Sequence, residues 1–202
     1  MRNVITRRGT VIQDPPFVKT LLNDTRFSAL WLVLRVWLGY KWLDSGLGKI
    51  SNPAWTDTGA ALKGFWSSIV VIPADGRPAI AFDWYRNFIQ FMLDAEAYTW
   101  FAKLVVYGEL IIGIALILGM FTGIAAFFGG FMNWNFMMAG SASINPMLFV
   151  VSVGLILSWK IAGYLGVDYF LLPLLGTPWS GEEVVEASSA APDLVVQPTS
   201  GD

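Results

Sequence analysis

Cysteine and histidine are both absent from this 202-residue chain. Their absence excludes disulfides and thiol catalysis, and it excludes haem, zinc and iron–sulfur sites held by these side chains. The polar first 26 residues also lack the short apolar core of a cleavable signal peptide. If the protein takes part in redox chemistry, its electron carrier is therefore a non-covalently bound organic molecule or lies in a partner.

Charged residues are scarce as well, at 14% of the chain, whereas soluble domains carry about 25%. Hydrophobic residues make up 55%, and the mean hydropathy is +0.56. This composition indicates that lipid is part of the solvent. The net charge of −2 leaves no basic surface of the kind that binds nucleic acid, so no nucleic-acid partner is expected.

Four segments approach the roughly 20 apolar residues that a helix needs to cross about 30 Å of hydrocarbon. They cover about 27–47, 101–121, 123–139 and 146–167. The uncharged turn Gly119–Gly123 is so short that the second and third segments must form an antiparallel hairpin. The sequence therefore predicts an all-α membrane protein, an antiparallel bundle of four transmembrane helices with one long loop at about 48–100.

The distribution of Lys and Arg predicts the orientation of this bundle, which occupies residues 27–175. Residues 1–26 contain five basic residues and the short turns none, so the positive-inside rule places the N-terminus in the cytoplasm. The long loop is then extracytoplasmic and the C-terminus cytoplasmic, with the protein in the cell (inner) membrane. Residues 180–202 are acidic and rich in Ser, Ala and Pro, which predicts a disordered tail.

Within the long loop, residues 82–93 read FDWYRNFIQFML. Tyr85, Phe88, Ile89 and Met92 share one helical face. Two interpretations stay open: an interfacial helix on the outer leaflet, with Trp84 at headgroup level, or a cap packed over the mouth of the bundle.

Three polar side chains lie deep in three predicted spans. Ionisable groups in hydrocarbon cost about 2.5–3.5 kcal/mol each on insertion scales, so Arg35 and Glu109 are candidate catalytic residues and Asn133 a candidate ligand-binding residue. Arg35 begins a stripe with Gly39, Trp42 and Gly46, and small residues also flank the other two. We therefore predict a buried Arg35–Glu109 pair whose hydrogen bonds Asn133 completes.

Two interpretations of this cluster stay open. It either fixes helix register, each charge neutralising the other, or forms a polar site for a quinone head group or another small ligand, with Glu109 carrying protons. Trp42 and Trp134 are deep enough to line such a cavity, although packing is their ordinary role. Lys49 is interpreted as an anchor that reaches the membrane interface.

Several stretches, in their order along the chain, resemble the DoxX/DoxD family. They are RVWLGYKWLDSGLGKI at Arg35–Ile50, YGELIIGIALILGMFTG at Tyr107–Gly123, MNWNFMMAGS at Met132–Ser141, Asn145-Pro146, and AGYLGVDYFLLP at Ala162–Pro173. The resemblance implies a four-helix membrane protein associated with oxidoreductase complexes. Its DoxD branch is the small membrane subunit of thiosulfate:quinone oxidoreductase, and other members resemble membrane anchors for soluble redox enzymes.

Two main functions follow as expectations. The first is a quinone-interacting membrane subunit of an oxidoreductase, with a partner subunit that holds the redox centre. The second is a non-catalytic anchor or assembly subunit. A small-solute transporter is a third and weaker hypothesis, because no inverted repeat or broken-helix pair is evident.

Overall fold

The computed structural model describes residues 4–5, 11–12 and 14–176. The predicted acidic tail at 180–202 lies outside these residues. Apart from two paired two-residue strands, the described part is helical, so the predicted all-α class is confirmed. The elements, in chain order, are β1 Val4–Ile5, β2 Val11–Ile12, α1 Pro16–Asn23, a 3₁₀ turn Thr25–Phe27, α2 Ser28–Ile50, α3 Pro53–Thr56, α4 Ala60–Ile69, α5 Asp83–Asp94, α6 Tyr98–Leu118, α7 Thr122–Met138, α8 Asn145–Leu157, α9 Trp159–Ala162 and α10 Asp168–Leu174.

Glycines set how closely α2 and α6 approach each other. A Cβ at Gly113 of α6 would stand 2.6 Å from the backbone nitrogen of Leu43 in α2. Gly39 faces Ile117 and Gly46 faces Leu110, so residue numbers fall along α6 as they rise along α2. The two helices are therefore antiparallel, with their backbones almost in contact.

The second antiparallel pair is α7 with α8, which packs Gly130 against Ser152. Trp31 of α2 lies against Gly154 of α8, so the two antiparallel pairs pack against each other. The buried centre of these helices is apolar, and it includes Leu38, Leu116 and Leu155, all fully buried.

The fourth apolar segment differs from the prediction of one span at 146–167. The continuous helix α8 has 13 residues and stops before Ser158, and the four-residue α9 follows it. The Ser158 hydroxyl donates to the Gly154 carbonyl at 2.8 Å, a local bond that competes with the helical ladder.

Among the described helices, α6 alone combines a length of at least 18 residues with enough apolar character to cross a membrane. Helix α2 has 23 residues, but Arg35, Lys41, Asp44 and Lys49 interrupt it. Helices α7 and α8 have only 17 and 13 residues. The four-span topology thus stays a prediction after the helices are known.

The long connection at 48–100 is a structured layer and not an open loop. It contains α3, α4 and α5, which pack on the first turns of α6 around Trp66, Ile80, Tyr85 and Ile89. The start of α6 extends beyond the end of α2, and this layer covers the exposed part. Residues 14–176 therefore form two hydrophobic cores, one inside the helical pairs and one beneath the layer.

Candidate functional site: a cavity beside a buried ion pair

Glu109 forms its ion pair with Lys49, and the predicted Arg35–Glu109 pair is wrong. The Lys49 Nζ donates to Glu109 Oε2 at 2.6 Å and to Oε1 at 2.8 Å. The same ammonium group donates to the Ser45 hydroxyl at 2.6 Å. Glu109 is 1% exposed, whereas the Lys49 side chain is 21% exposed. Lys49 is therefore a half-buried partner of the acid, and its ammonium group points to Glu109 and Ser45 instead of away from the helices, as an interfacial anchor would.

The offset of the two helices explains the error. Because Leu43 faces Gly113 in an antiparallel pair, Glu109 is level with about residue 47 of α2. Arg35 lies about 12 residues further back, or about 18 Å at 1.5 Å per residue. The sequence predicts that both groups lie deep in their spans, but spacing along each helix does not show the offset between the two helices.

The ion pair lines a cavity of about 410 Å³ between the ends of the helices and the overlying layer. Seven of the residues that line it are aromatic, namely Trp55, Phe65, Trp66, Tyr85, Phe88, Phe101 and Phe136. Seven more are polar or charged, namely Lys49, Glu109, Ser45, Asn135, Ser141, Ser143 and Asn145, and most of the exposed lining surface is apolar. A concave apolar site with a few convergent polar groups is the usual form of a small-molecule pocket.

Tyr85 joins the layer to α7 at the cavity. Its hydroxyl lies 3.1 Å from the Asn135 carbonyl oxygen and 3.2 Å from Asn135 Oδ1, so one O–H is shared between two acceptors. Burial raises the pKa of Tyr85 to about 12. The phenol is therefore neutral, and a hydrogen-bond donor, at any physiological pH.

Arg35 belongs to a second polar cluster at the opposite end of the helices. Its Nη2 donates to the Leu165 carbonyl at 3.0 Å, and the guanidinium packs against Gly119 and Gly166. Asp168, 1% exposed, supplies the opposite charge nearby. Its carboxylate accepts from the backbone N–H groups of Phe121 and Thr122 at 2.6 and 2.8 Å. Arg35 and Asp168 therefore hold the C-terminal segment onto the turn that precedes α7.

Asn133 is fully buried and lies near the level of Glu109, since its neighbour Met132 faces Gly108. Its predicted bonds to a charged pair are absent, because neither amide atom finds a hydrogen-bond partner among the described residues. The indole nitrogen of Trp42 is likewise buried without a partner in that part of the chain, beside Gly129 one turn away from Asn133. Neither side chain lines the cavity.

Trp134 also lies outside the cavity. It is 36% exposed, stacked on Phe131 with ring centroids 6.0 Å apart and edge-on to Tyr85 at 6.4 Å. Trp42 packs in the core, 6.4 Å from the Phe136 ring. Of the five predicted site residues, only Glu109 thus borders the space where a ligand fits.

Sequence reasoning missed Lys49 and Asp168. Lys49 continues the stripe of Arg35, Gly39, Trp42 and Gly46 by one more step of three residues, so extending the stripe finds it. No local pattern indicates Asp168, because its partners lie 46 and 47 residues away along the chain. Within the described residues, no group of three or more acidic, cysteine or histidine side chains forms a metal site.

Comparisons with curated proteins and with solved structures found no match. Comparison with protein-family models matches the DoxX family over residues 30–139. This range covers more than half of the chain, from α2 through α7, and includes both Lys49 and Glu109. DoxX proteins are membrane-associated, and the apolar helix α6 agrees with this. The chain therefore belongs to the DoxX family.

Proposed function

We propose that α2, α6, α7 and the α8–α9 segment all cross the membrane, and that the protein is the quinone-interacting membrane subunit of an oxidoreductase. The outward surface of the helices supports the first part. Apolar side chains that are 47–66% exposed follow helical spacing along the whole of α6. They are Trp100, Leu104, Tyr107, Ile111, Ile114 and Leu118.

Helices α7 and α8 continue this pattern, with exposed Phe127, Phe131, Val150 and Leu157. The buried Arg35 and Glu109 and the half-buried Lys49 lie on the inside of α2 and α6, and the buried Asp168 of α10 lies close to Arg35. Polar groups inside and apolar groups outside is the distribution that lipid favours. With the basic N-terminal segment in the cytoplasm, the cavity lies towards the extracytoplasmic side of the cell membrane.

The observation that carries the functional proposal is the Lys49–Glu109 ion pair in the wall of an aromatic cavity. A volume of about 410 Å³ is within the range of small-molecule pockets, about 300–1,000 Å³. The aromatic side chains suit a flat ring, the ammonium group can donate to a carbonyl oxygen of a quinone, and the carboxylate can accept from a hydroxyl group of the quinol.

Lys49, Glu109 and Tyr85 have different roles in this site. Lys49 has three N–H donors, and its contact with the Ser45 carbonyl, at 3.4 Å, is the weakest of its four. A ligand carbonyl can replace that contact without breaking the ion pair. Glu109, within 2.8 Å of Lys49, exchanges protons with a bound ring oxygen or through the lysine. Tyr85 and Asn135 hold the layer closed above the ring.

Reduction of a quinone to a quinol needs two electrons and two protons. Lys49 donates one proton to the ring, and the second proton comes from water by way of the Glu109 carboxylate, which also returns a proton from water to Lys49. The chain has no cysteine or histidine that could hold a haem or an iron–sulfur cluster, so the electrons come from a partner subunit. Thiosulfate is the donor that the DoxD resemblance suggests for the complex.

Binding of decylubiquinone to the purified protein in lipid vesicles tests this function. We expect Glu109→Gln to weaken binding at least tenfold, which corresponds to about 1.4 kcal/mol. Glu96→Gln changes the same chemical group at an exposed position outside the cavity and serves as the control. If the unmodified protein binds no quinone, the chain is a non-catalytic membrane anchor instead. If the two variants bind equally, Glu109 is not part of the quinone site.

A further inference from the structure

Helix α5 has three faces rather than two. At about 100° per residue, its 12 residues place Tyr85, Ile89 and Met92 on one face, and all three are buried. The exposed remainder divides into two edges. The polar edge carries Asp83, Asn87, Gln90 and Asp94, and the aromatic edge carries Trp84, Phe88 and Phe91.

The aromatic edge is exposed without interruption. Trp84 is 59% exposed, Phe91 66% and Phe88 45%. Because no charge lies on this edge while two carboxylates lie on the other, the two edges of one short helix require different solvents. A helix at the boundary between lipid and water satisfies both.

The aromatic edge is continuous with the outward surface of α7. The Trp84 and Tyr85 rings are 5.6 Å apart, Tyr85 and Trp134 are 6.4 Å apart, and Trp134 stacks on Phe131 at 6.0 Å. Phe131 belongs to the exposed apolar stripe of α7, the surface assigned above to lipid. The aromatic edge of α5 therefore lies close to the surface of α7 that the proposed function assigns to lipid.

Phe88 connects this edge to the cavity. Four residues of α5 line the cavity, namely Tyr85, Phe88, Ile89 and Met92, and Phe88 is the exposed one. Of the other described residues that line the cavity, only Ser143 is exposed. The mouth therefore lies between the aromatic edge of α5 and the α7–α8 turn.

We infer that the aromatic edge of α5 inserts into the outer leaflet and that the cavity opens sideways into the bilayer beside Phe88. This inference rests on the proposed membrane insertion and specifies the ligand class of the same site. The ligand is a lipid-soluble molecule with a polar ring and a long apolar tail. The ring enters the cavity and the tail stays among the acyl chains over Phe88 and Phe91.

Site-directed spin labelling tests the inference, because a chain without cysteine needs no background substitution. Nitroxide labels on Phe91→Cys and Gln90→Cys occupy neighbouring positions on opposite edges of α5. In phosphatidylcholine vesicles without quinone, we expect the Phe91 label to be several-fold more accessible to oxygen than to a water-soluble nickel chelate. The Gln90 label is expected to show the reverse preference.

Further labels separate the parts of the proposal. Ile111→Cys, on the 66% exposed stripe of α6, reports whether the helices are in lipid at all. If the Ile111 label is in lipid but the Phe91 label is in water, α5 does not insert, although α6 lies in the membrane. Trp84→Cys repeats the reading on the same edge in case the Phe91 variant does not fold.

The label on Phe88→Cys tests the portal itself. Preferential access for oxygen supports a mouth that opens into lipid. Preferential access for the nickel chelate places the mouth in water and overturns the lateral route, even if decylubiquinone binds. Quinone binding without this oxygen preference therefore contradicts the inference alone, and oxygen preference without quinone binding contradicts the proposed function alone.

Discussion

Each end of the described helices holds two opposite charges, Lys49 and Glu109 at one end and Arg35 and Asp168 at the other, and the two ends are built differently. At one end the Glu109 carboxylate is held by the side chain of Lys49 beside a cavity of about 410 Å³. At the other end Arg35 donates to a backbone carbonyl and Asp168 accepts from two backbone N–H groups. Lys49 and Glu109 therefore border a cavity, whereas Arg35 and Asp168 are surrounded by backbone groups of the protein.

This difference shows that depth alone does not identify a functional charge. Both acids are 1% exposed, so burial ranks them equally. The carboxylate of Asp168 accepts from backbone N–H groups and so fixes the start of α7. Both carboxylate oxygens of Glu109 instead accept from one side-chain ammonium group, that of Lys49. A carboxylate such as Glu109, with a side-chain partner and a cavity beside it, can exchange a proton or contact a ligand. The Asp168 carboxylate can do so only if its hydrogen bonds to the start of α7 break.

The largest effect on stability is expected at the closed end. Asp168→Ala removes both bonds to the start of α7 and leaves Arg35 buried without its opposite charge. Breaking a buried pair in this way costs about 3–5 kcal/mol of unfolding free energy. Thermal unfolding in detergent measures it, with the exposed Asp94→Ala as the control. Quinone affinity of the folded fraction is expected to stay unchanged, and a parallel loss of affinity would contradict the division between the two ends.

At the open end, Lys49→Met is expected to remove quinone binding and cost about 1–3 kcal/mol of stability, because it leaves the Glu109 carboxylate unpaired. The cost is smaller than for Asp168→Ala, since the cavity admits water. Adding Glu109→Leu is expected to restore stability but not binding. Lys63→Met, which removes an exposed lysine 5.0 Å from the Tyr98 ring, is the control. Binding by the double variant would show that the ion pair is only structural.

Gly113→Ala tests the helix crossing that lies between the two ends. A Cβ there stands 2.6 Å from the Leu43 nitrogen, so the two backbones must separate at a cost of about 1–3 kcal/mol. Gly64→Ala is a matched control on α4, because no atom lies within 4 Å of its added Cβ. There the better helix propensity of alanine predicts a small gain. Equal effects of the two substitutions on unfolding would contradict the close crossing.

The smallest effect concerns the covering layer. Tyr85→Phe removes the hydroxyl that bonds to Asn135 and is expected to cost about 0.5–1.5 kcal/mol. Because the pKa of Tyr85 is raised to about 12, the phenol carries no charge below that pH in the folded protein. The stability difference between the two proteins should therefore be constant from about pH 6 to pH 9. A difference that changes over this range would show that another group titrates with the hydroxyl.

The sequence by itself determined that the protein is helical and apolar, and that Glu109, Arg35 and Asn133 point inward. Spacing along one helix is sufficient for these conclusions, because a helix repeats every 3.6 residues whatever surrounds it. The DoxX resemblance also followed from the order of local stretches along the chain, and the family match over residues 30–139 confirms it.

Only the tertiary structure decided which charges meet. The partner of Glu109 lies 60 residues away along the chain, and the offset between α2 and α6 brings Lys49 rather than Arg35 to it. That offset depends on the glycines at the crossing and on the layer that covers the start of α6. The cavity likewise exists because α5 packs across helices distant in sequence, and no local periodicity encodes the space between them.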